Sequence, residues 1–137
     1  MKVEDIKRVL VVGAGAMGQQ IGFQCAMYGY EVVLYDISPD VLDKAKGRIK
    51  KLCESFGSSG RMTREQSDET IAGITATDNP LEAARDVDIL SESVPEDPEL
   101  KGRVFSQFNE LCPDRTLFTT NTSMLVPSMF AEATGRP

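Results

Sequence analysis

Residues 13–18 read Gly13-Ala14-Gly15-Ala16-Met17-Gly18. They follow the apolar run Val9-Leu10-Val11-Val12 and precede a helical pattern, and Asp36 closes the next apolar run, Val32-Val33-Leu34-Tyr35. In that strand, turn and helix setting the spacing is a dinucleotide-binding fingerprint, whereas a glycine-rich turn met alone is more often only a turn. Gly13 permits the tight turn out of the strand. Gly15 lets the backbone approach a pyrophosphate with no Cβ in the way, and Gly18 brings the helix close to the sheet. Ala16 and Met17 open the helix, where unpartnered N–H groups and the helix dipole favour a phosphate. Asp36 lies eighteen residues beyond Gly18. Its carboxylate is placed to accept hydrogen bonds from ribose hydroxyls and to repel a 2′-phosphate, which predicts NAD in preference to NADP.

A second group of polar residues lies further along the chain: Glu92-Ser93-Val94-Pro95-Glu96, then Lys101, and later Asn121-Thr122-Ser123. In doubly wound sheets the ligand lies off the carboxyl ends of the strands, so these segments should face the crevice that holds the glycine loop. The plainer alternatives are that Asn121 and Ser123 cap a following helix and that Lys101 is solvated on its own. A third group, Lys44, Lys46, Arg48, Lys50 and Lys51, concentrates positive charge on one predicted helix. It would suit a phosphorylated substrate. An ordinary solvated face, with Asp40 and Lys44, and Lys50 and Glu54, paired at i,i+4, explains the same residues.

The elements that must position these groups alternate strand and helix. Strands are predicted at 9–12, 32–35, 74–77, 87–90 and 116–120, each a short apolar or β-branched run. The first helix carries Met17, Ile21, Cys25 and Tyr28 at helical spacing and stops at Gly29. Ser38-Pro39 reads as a cap and first turn of a long helix to about residue 56, ended by Gly57-Ser58-Ser59-Gly60. Thr63 with Gln66 forms a capping box for a second helix, so the two make a helical hairpin inserted between strands two and three. A short helix from Asn79-Pro80 and another over 98–111 complete the pattern. The fold predicted is α/β, a doubly wound parallel sheet of the Rossmann type.

The bulk numbers agree with one small-molecule domain. The chain has 137 residues, 41% of them hydrophobic, and a net charge of −6, which argues against a nucleic-acid surface. Cys25, Cys53 and Cys112 are odd in number and scattered, so neither a disulfide framework nor a metal site is expected, and reduced cytoplasmic thiols are. The N-terminal residues lack a signal-peptide core, and no run approaches the roughly 20 apolar residues of a spanning helix.

Taken together, the 13–18 loop, Tyr35-Asp36-Ile37-Ser38, the 92–101 segment and Asn121-Thr122-Ser123 resemble the NAD-binding domain of the L-3-hydroxyacyl-CoA dehydrogenase family. The resemblance implies that Glu96 and Lys101 help bind NAD, and that Asn121 and Ser123 lie where nicotinamide and substrate meet. It implies that the helical insertion near Lys50 and Lys51 contacts coenzyme A. It also implies a histidine general base, a helical second domain and a homodimer. This chain contains no histidine and stops at Gly135-Arg136-Pro137, just short of where the resemblance places that base, so residues 1–137 are expected to be the cofactor-binding portion of a longer enzyme, inactive alone. Met124 stands where the family usually has a second serine. Two other readings stay open: a short 3-hydroxyacid dehydrogenase, and a non-catalytic NAD-binding redox sensor.

Overall fold

The computed structural model describes residues 1–136. Five strands, β1 (Arg8–Val12), β2 (Glu31–Tyr35), β3 (Ile74–Thr77), β4 (Ile89–Glu92) and β5 (Leu117–Thr120), form one parallel sheet in the order β3-β2-β1-β4-β5. The chain runs outward from β1 in one direction, crosses back, and continues from β4 in the other. The crevice between the carboxyl ends of β1 and β4 is therefore the topological switch point of a doubly wound fold. The helices are α1 (Ala16–Met27), α2 (Pro39–Ser58), α3 (Arg64–Ala72), α4 (Pro80–Ala83), α5 (Pro98–Leu111) and α6 (Ala131–Thr134). No helix is long and apolar enough to cross a membrane among the described residues.

Alternation along the central strand divides the core. Val9 and Val11 pack with Phe23, Leu42, Ile49 and Cys53 on the side of α1 and α2, while Leu10 and Val12 pack with Phe105 and Phe108 on the side of α5. The helical hairpin is present. Ser38 caps α2 through Val41 N–H, and Thr63 and Gln66 exchange both bonds of a capping box at α3.

Several sequence expectations need correction. β4 starts two residues later than predicted, at Ile89, because Asp88 turns its carboxylate back onto the chain; the polar Ser91 and Glu92 are strand residues, paired with Val11 and Val12. On α1 the helical period is right but the face is not. The buried side is Gly18, Gln19, Gly22, Phe23 and Ala26, while Met17 and Tyr28 are exposed, since small residues let the helix sit close to Val32 and Leu34. The predicted ion pairs of Asp40 with Lys44 and Lys50 with Glu54 do not close among the described residues; solvated charges gain little by pairing. Lys101 is not solvated but 1% exposed.

At the amino ends of the strands, Asp88 ties the sheet together. Its Oδ2 accepts from Lys7 N–H at 2.9 Å and Arg8 N–H at 3.0 Å, and its Oδ1 from Arg115 Nε at 3.1 Å. Burial works to raise its pKa, but the two backbone donors and the guanidinium outweigh it and hold the carboxyl below the ordinary range. A pKa lower in the folded than in the unfolded chain means stability that is present above the unfolded value, about 4, and lost as pH falls through the folded one. Urea titrations from pH 6 to pH 2 should show this. Asp88→Asn is expected to be less stable than the parent at pH 6 and to lose less on acidification, and an acid limb as steep as the parent's would remove Asp88 from that account.

Candidate functional site

Backbone contacts build the crevice. Gly13 N–H bonds Tyr35 O at 2.8 Å, and Ser93 N–H bonds Val12 O at 2.8 Å, so the loops after β1, β2 and β4 leave the sheet together. Gly13 has φ +100, and a Cβ there would lie 2.7 Å from the Ser93 carbonyl oxygen. A Cβ on Gly18 would lie 1.9 Å from the Gly13 carbonyl oxygen. Gly18 thus packs the helix onto the turn as well as toward the sheet. Gly15 is different: nothing lies within 4 Å of the place a Cβ would take, and its φ of −72 is ordinary. The chain does not need glycine there for its own packing.

Helices α2, α3, α4 and α5 are each capped by a side chain, from Ser38, Thr63, Asn79 and Asp97. Gly15 caps α1 with none. Gln19 N–H is the first to meet an i−4 carbonyl, Gly15 O at 3.0 Å, which leaves the donors of Ala16, Met17 and Gly18 directed out of the helix start. Asp36 fixes this loop from below. Its Oδ2 accepts from Ala14 N–H and its Oδ1 from Ser38 N–H, each at 3.0 Å. A carboxylate accepts about four hydrogen bonds, so both oxygens retain capacity for a ribose diol. The open glycine and uncapped turn fit a pyrophosphate, and Asp36 fits the adenosine ribose of NAD.

The opposite wall is a charged network. Glu92 is fully buried, and its Oε1 accepts from Val94 N–H at 3.0 Å and from Lys101 Nζ, while its Oε2 accepts from Thr120 Oγ1. Lys101 Nζ also donates to Val94 O at 3.2 Å and meets Glu96 Oε1 at 3.2 Å. Glu96 Oε2 takes the Thr122 hydroxyl. That hydroxyl, and then the Lys101 ammonium, hold the Glu96 carboxyl below the ordinary range. Asn121 stands at the end of β5 with its Nδ2 on Ser91 Oγ, Glu92 O and Ser93 Oγ at 2.8 to 3.0 Å. Its Oδ1 has no protein donor among the described residues. Ser123 is exposed and unbonded there too.

Glu96 and Lys101 share one network with Thr122, Asn121 reaches Ser93, whose peptide lies against Gly13, and Ser123 follows as an exposed residue on the same loop. Neither Asn121 nor Ser123 caps the next turn, Pro127–Met129, whose cap position is Val126. Of Lys50 and Lys51 on α2, Lys51 lines a groove of about 300 Å³ with Arg48, Ala16, Gln19 and Gln20, whereas Lys50 does not line it. Sequence reasoning gave no role to Glu92, Thr120 or Thr122. The available signal was a carboxylate directly after the apolar pair Ile89-Leu90 and Ser91, with a lysine nine residues on.

The two glycines separate folding from binding. Gly13→Ala is expected to destabilise the protein through positive φ and a backbone clash, by about 1–3 kcal/mol. Gly15→Ala should keep the parent's melting temperature and weaken NADH at least tenfold. NADH titration beside thermal melting checks both, and parent-like binding by Gly15→Ala would remove the pyrophosphate from this loop.

Comparison with known proteins agrees with this geometry. The family model described as 3-hydroxyacyl-CoA dehydrogenase, NAD binding domain, matches residues 8–137. A probable 3-hydroxybutyryl-CoA dehydrogenase of Bacillus subtilis is 32% identical over 133 residues, 97% of this chain and 46% of that one. The solved 3-hydroxybutyryl-CoA dehydrogenase of Escherichia coli superposes with a TM-score of 0.88 at 33% identity, over 92% of this chain and 26% of the other. A solved diketoreductase gives a TM-score of 0.89 at 38% identity, over 96% and 47%. The chain spans less than half the length of each of these. With its Rossmann sheet, open glycine loop and an aspartate at the end of β2, the chain belongs to the NAD-binding domain family of the 3-hydroxyacyl-CoA dehydrogenases.

Proposed function

We propose that this chain forms the cofactor-binding part of an enzyme that oxidises an L-3-hydroxyacyl-CoA thioester to its 3-oxo form with NAD. The observation that carries the reading is the uncapped start of α1 beside an open Gly15, facing a wall whose free acceptors belong to Glu96 and Asn121. When bound, NAD supplies the hydride acceptor. Gly13, Gly15, Ala16, Met17 and Gly18 hold its pyrophosphate, Asp36 its adenosine ribose, and Glu96, steadied by Lys101, the other ribose.

The hydrogen-bond inventory assigns the reacting end. Both Asn121 Nδ2 protons are spent on β4 and the loop after it, so this side chain offers an acceptor and no donor. Ser123 keeps its hydroxyl free, which suits it to the 3-hydroxyl or 3-oxo oxygen, where it would donate as charge develops. The 137 residues contain no histidine, so the imidazole base that the resemblance implies is not among them. Lys51, beside Arg48 in the groove at α1, is better placed than Lys50 to meet a phosphate of coenzyme A. The same resemblance supports a homodimer that acts on a small molecule, the scattered cysteines support a cytoplasmic protein, and the net charge of −6 disfavours a nucleic-acid partner.

Assays of the full-length protein test this reading. L-3-hydroxybutyryl-CoA should be oxidised with NAD, and free 3-hydroxybutyrate hardly at all; equal rates would favour a 3-hydroxyacid or diketo substrate, and no turnover with any of them a sensor. Residues 1–137 alone should bind NADH without measurable turnover.

NADPH should bind the parent tenfold to a hundredfold more weakly than NADH, a difference of about 1.4–2.7 kcal/mol. Asp36→Ala should narrow that ratio while weakening both nucleotides, because it also releases Ala14 N–H. In the full-length enzyme Ser123→Ala should lower kcat about a hundredfold with NADH affinity unchanged. A lost affinity at constant kcat would place Ser123 on the cofactor instead.

A further inference from the structure

The Glu92 carboxylate is fully buried and has no surface to offer the crevice, yet four segments meet at it: the turn after β4 through Val94 N–H, α5 through Lys101, β5 through Thr120, and β4 itself. Lys101 is 1% exposed, and its three protons are all engaged, by Glu92 Oε1, Val94 O and Glu96 Oε1. It has no donor left for a cofactor. Glu96 is 39% exposed at its side chain and receives one bond on each oxygen, from Lys101 and from Thr122. Of the three charges, only Glu96 presents unused lone pairs to the crevice.

Removing one member of such a buried set leaves the others uncompensated. Without the inner carboxylate the ammonium has a single anionic partner, Glu96, and moves onto it. The lone pairs that Glu96 offers outward are then drawn inward.

We propose that Glu92 is a positioning residue for NAD, acting through Lys101 to hold the Glu96 carboxylate at the crevice rim. The proposal rests on the assignment of Glu96 to the cofactor ribose.

A double-mutant cycle on NADH affinity, measured with this chain, tests it. Glu92→Gln is isosteric and should weaken NADH about tenfold. Glu96→Gln should weaken it to a similar extent, and the double variant should be within about twofold of Glu96→Gln alone, because the first change acts only through the second residue. A structural role would instead give losses that multiply, and that result overturns the proposal, as does parent-like binding by Glu92→Gln. If Glu92→Gln does not fold, Glu92→Asp keeps the buried charge but shortens its reach to Lys101. The same cycle with Glu96→Gln then decides: losses that do not add support the proposal, and losses that multiply overturn it. Failure of the underlying reading looks different: Glu96→Gln alone would bind NADH like the parent, and the proposal would fall with it.

Discussion

The structure depends on a close contact between two backbones at the end of β1. The Gly13 residue bonds Tyr35 O on one side and lies against the Ser93 peptide on the other, where an added Cβ would sit 2.7 Å from an oxygen. Strand ends in a parallel sheet are about 4.8 Å apart, and here the Ser93 peptide comes so close to Gly13 that the middle loop carries no side chain at that point. Gly18 extends the same constraint to the helix, which rests on the Gly13 carbonyl. Once these contacts are made, the direction of α1 and the position of its free N–H groups follow. The shape of the crevice is thus a by-product of how the sheet turns its corner, and Gly15, unlike Gly13 and Gly18, stands in it free of packing demands.

Two buried carboxylates pin the opposite ends of β4. Asp88 gathers Lys7, Arg8 and Arg115 at the amino end, and Glu92 gathers Val94, Lys101 and Thr120 at the carboxyl end. Neither is an economical source of stability, since a buried ion pair often does no better than well-packed apolar groups of the same size. What each supplies is direction. Apolar residues would hold α5 against the sheet at many similar angles, whereas a lysine whose three protons have fixed acceptors sets where Glu96 and the turn before it stand.

The fold was legible because its signals are short-range and repetitive. Apolar runs of four, the caps Ser38, Thr63 and Asn79, and the stop at Gly29 each describe local chain geometry, and the tertiary structure agrees with them. The glycine loop was legible for the same reason. What escaped were features set by neighbours far along the chain. Glu92 looked like the start of a polar loop because its strand partner, Val12, is 80 residues earlier in the sequence. Lys101 admitted a solvated alternative because nothing local marks the acceptors at residues 92, 94 and 96 as close to it. Phe130 has exposed neighbours in Met124 and Met129, and nothing local sets it apart from them. It is buried, stacked on Phe105 at 5.6 Å between centroids, because α6 folds back onto α5 at Gly102.

The net charge of −6 would repel a pyrophosphate, and the loop that should hold one, residues 13–18, contains no cationic side chain. The resolution lies in range. Charges on the far surface are screened beyond about 8–10 Å at physiological salt, whereas the N–H groups of α1 act at hydrogen-bond distance, in the first turn where the dipole is felt. The nearest cation on the opposite wall, Lys101, is already shared between two carboxylates. Oriented peptide donors at the start of α1 thus suit a phosphate without a cationic side chain, while Asp36 and Glu96 keep lone pairs for hydroxyl donors and Glu92 stays buried behind Lys101. That division is how an acidic chain can still suit an anionic dinucleotide.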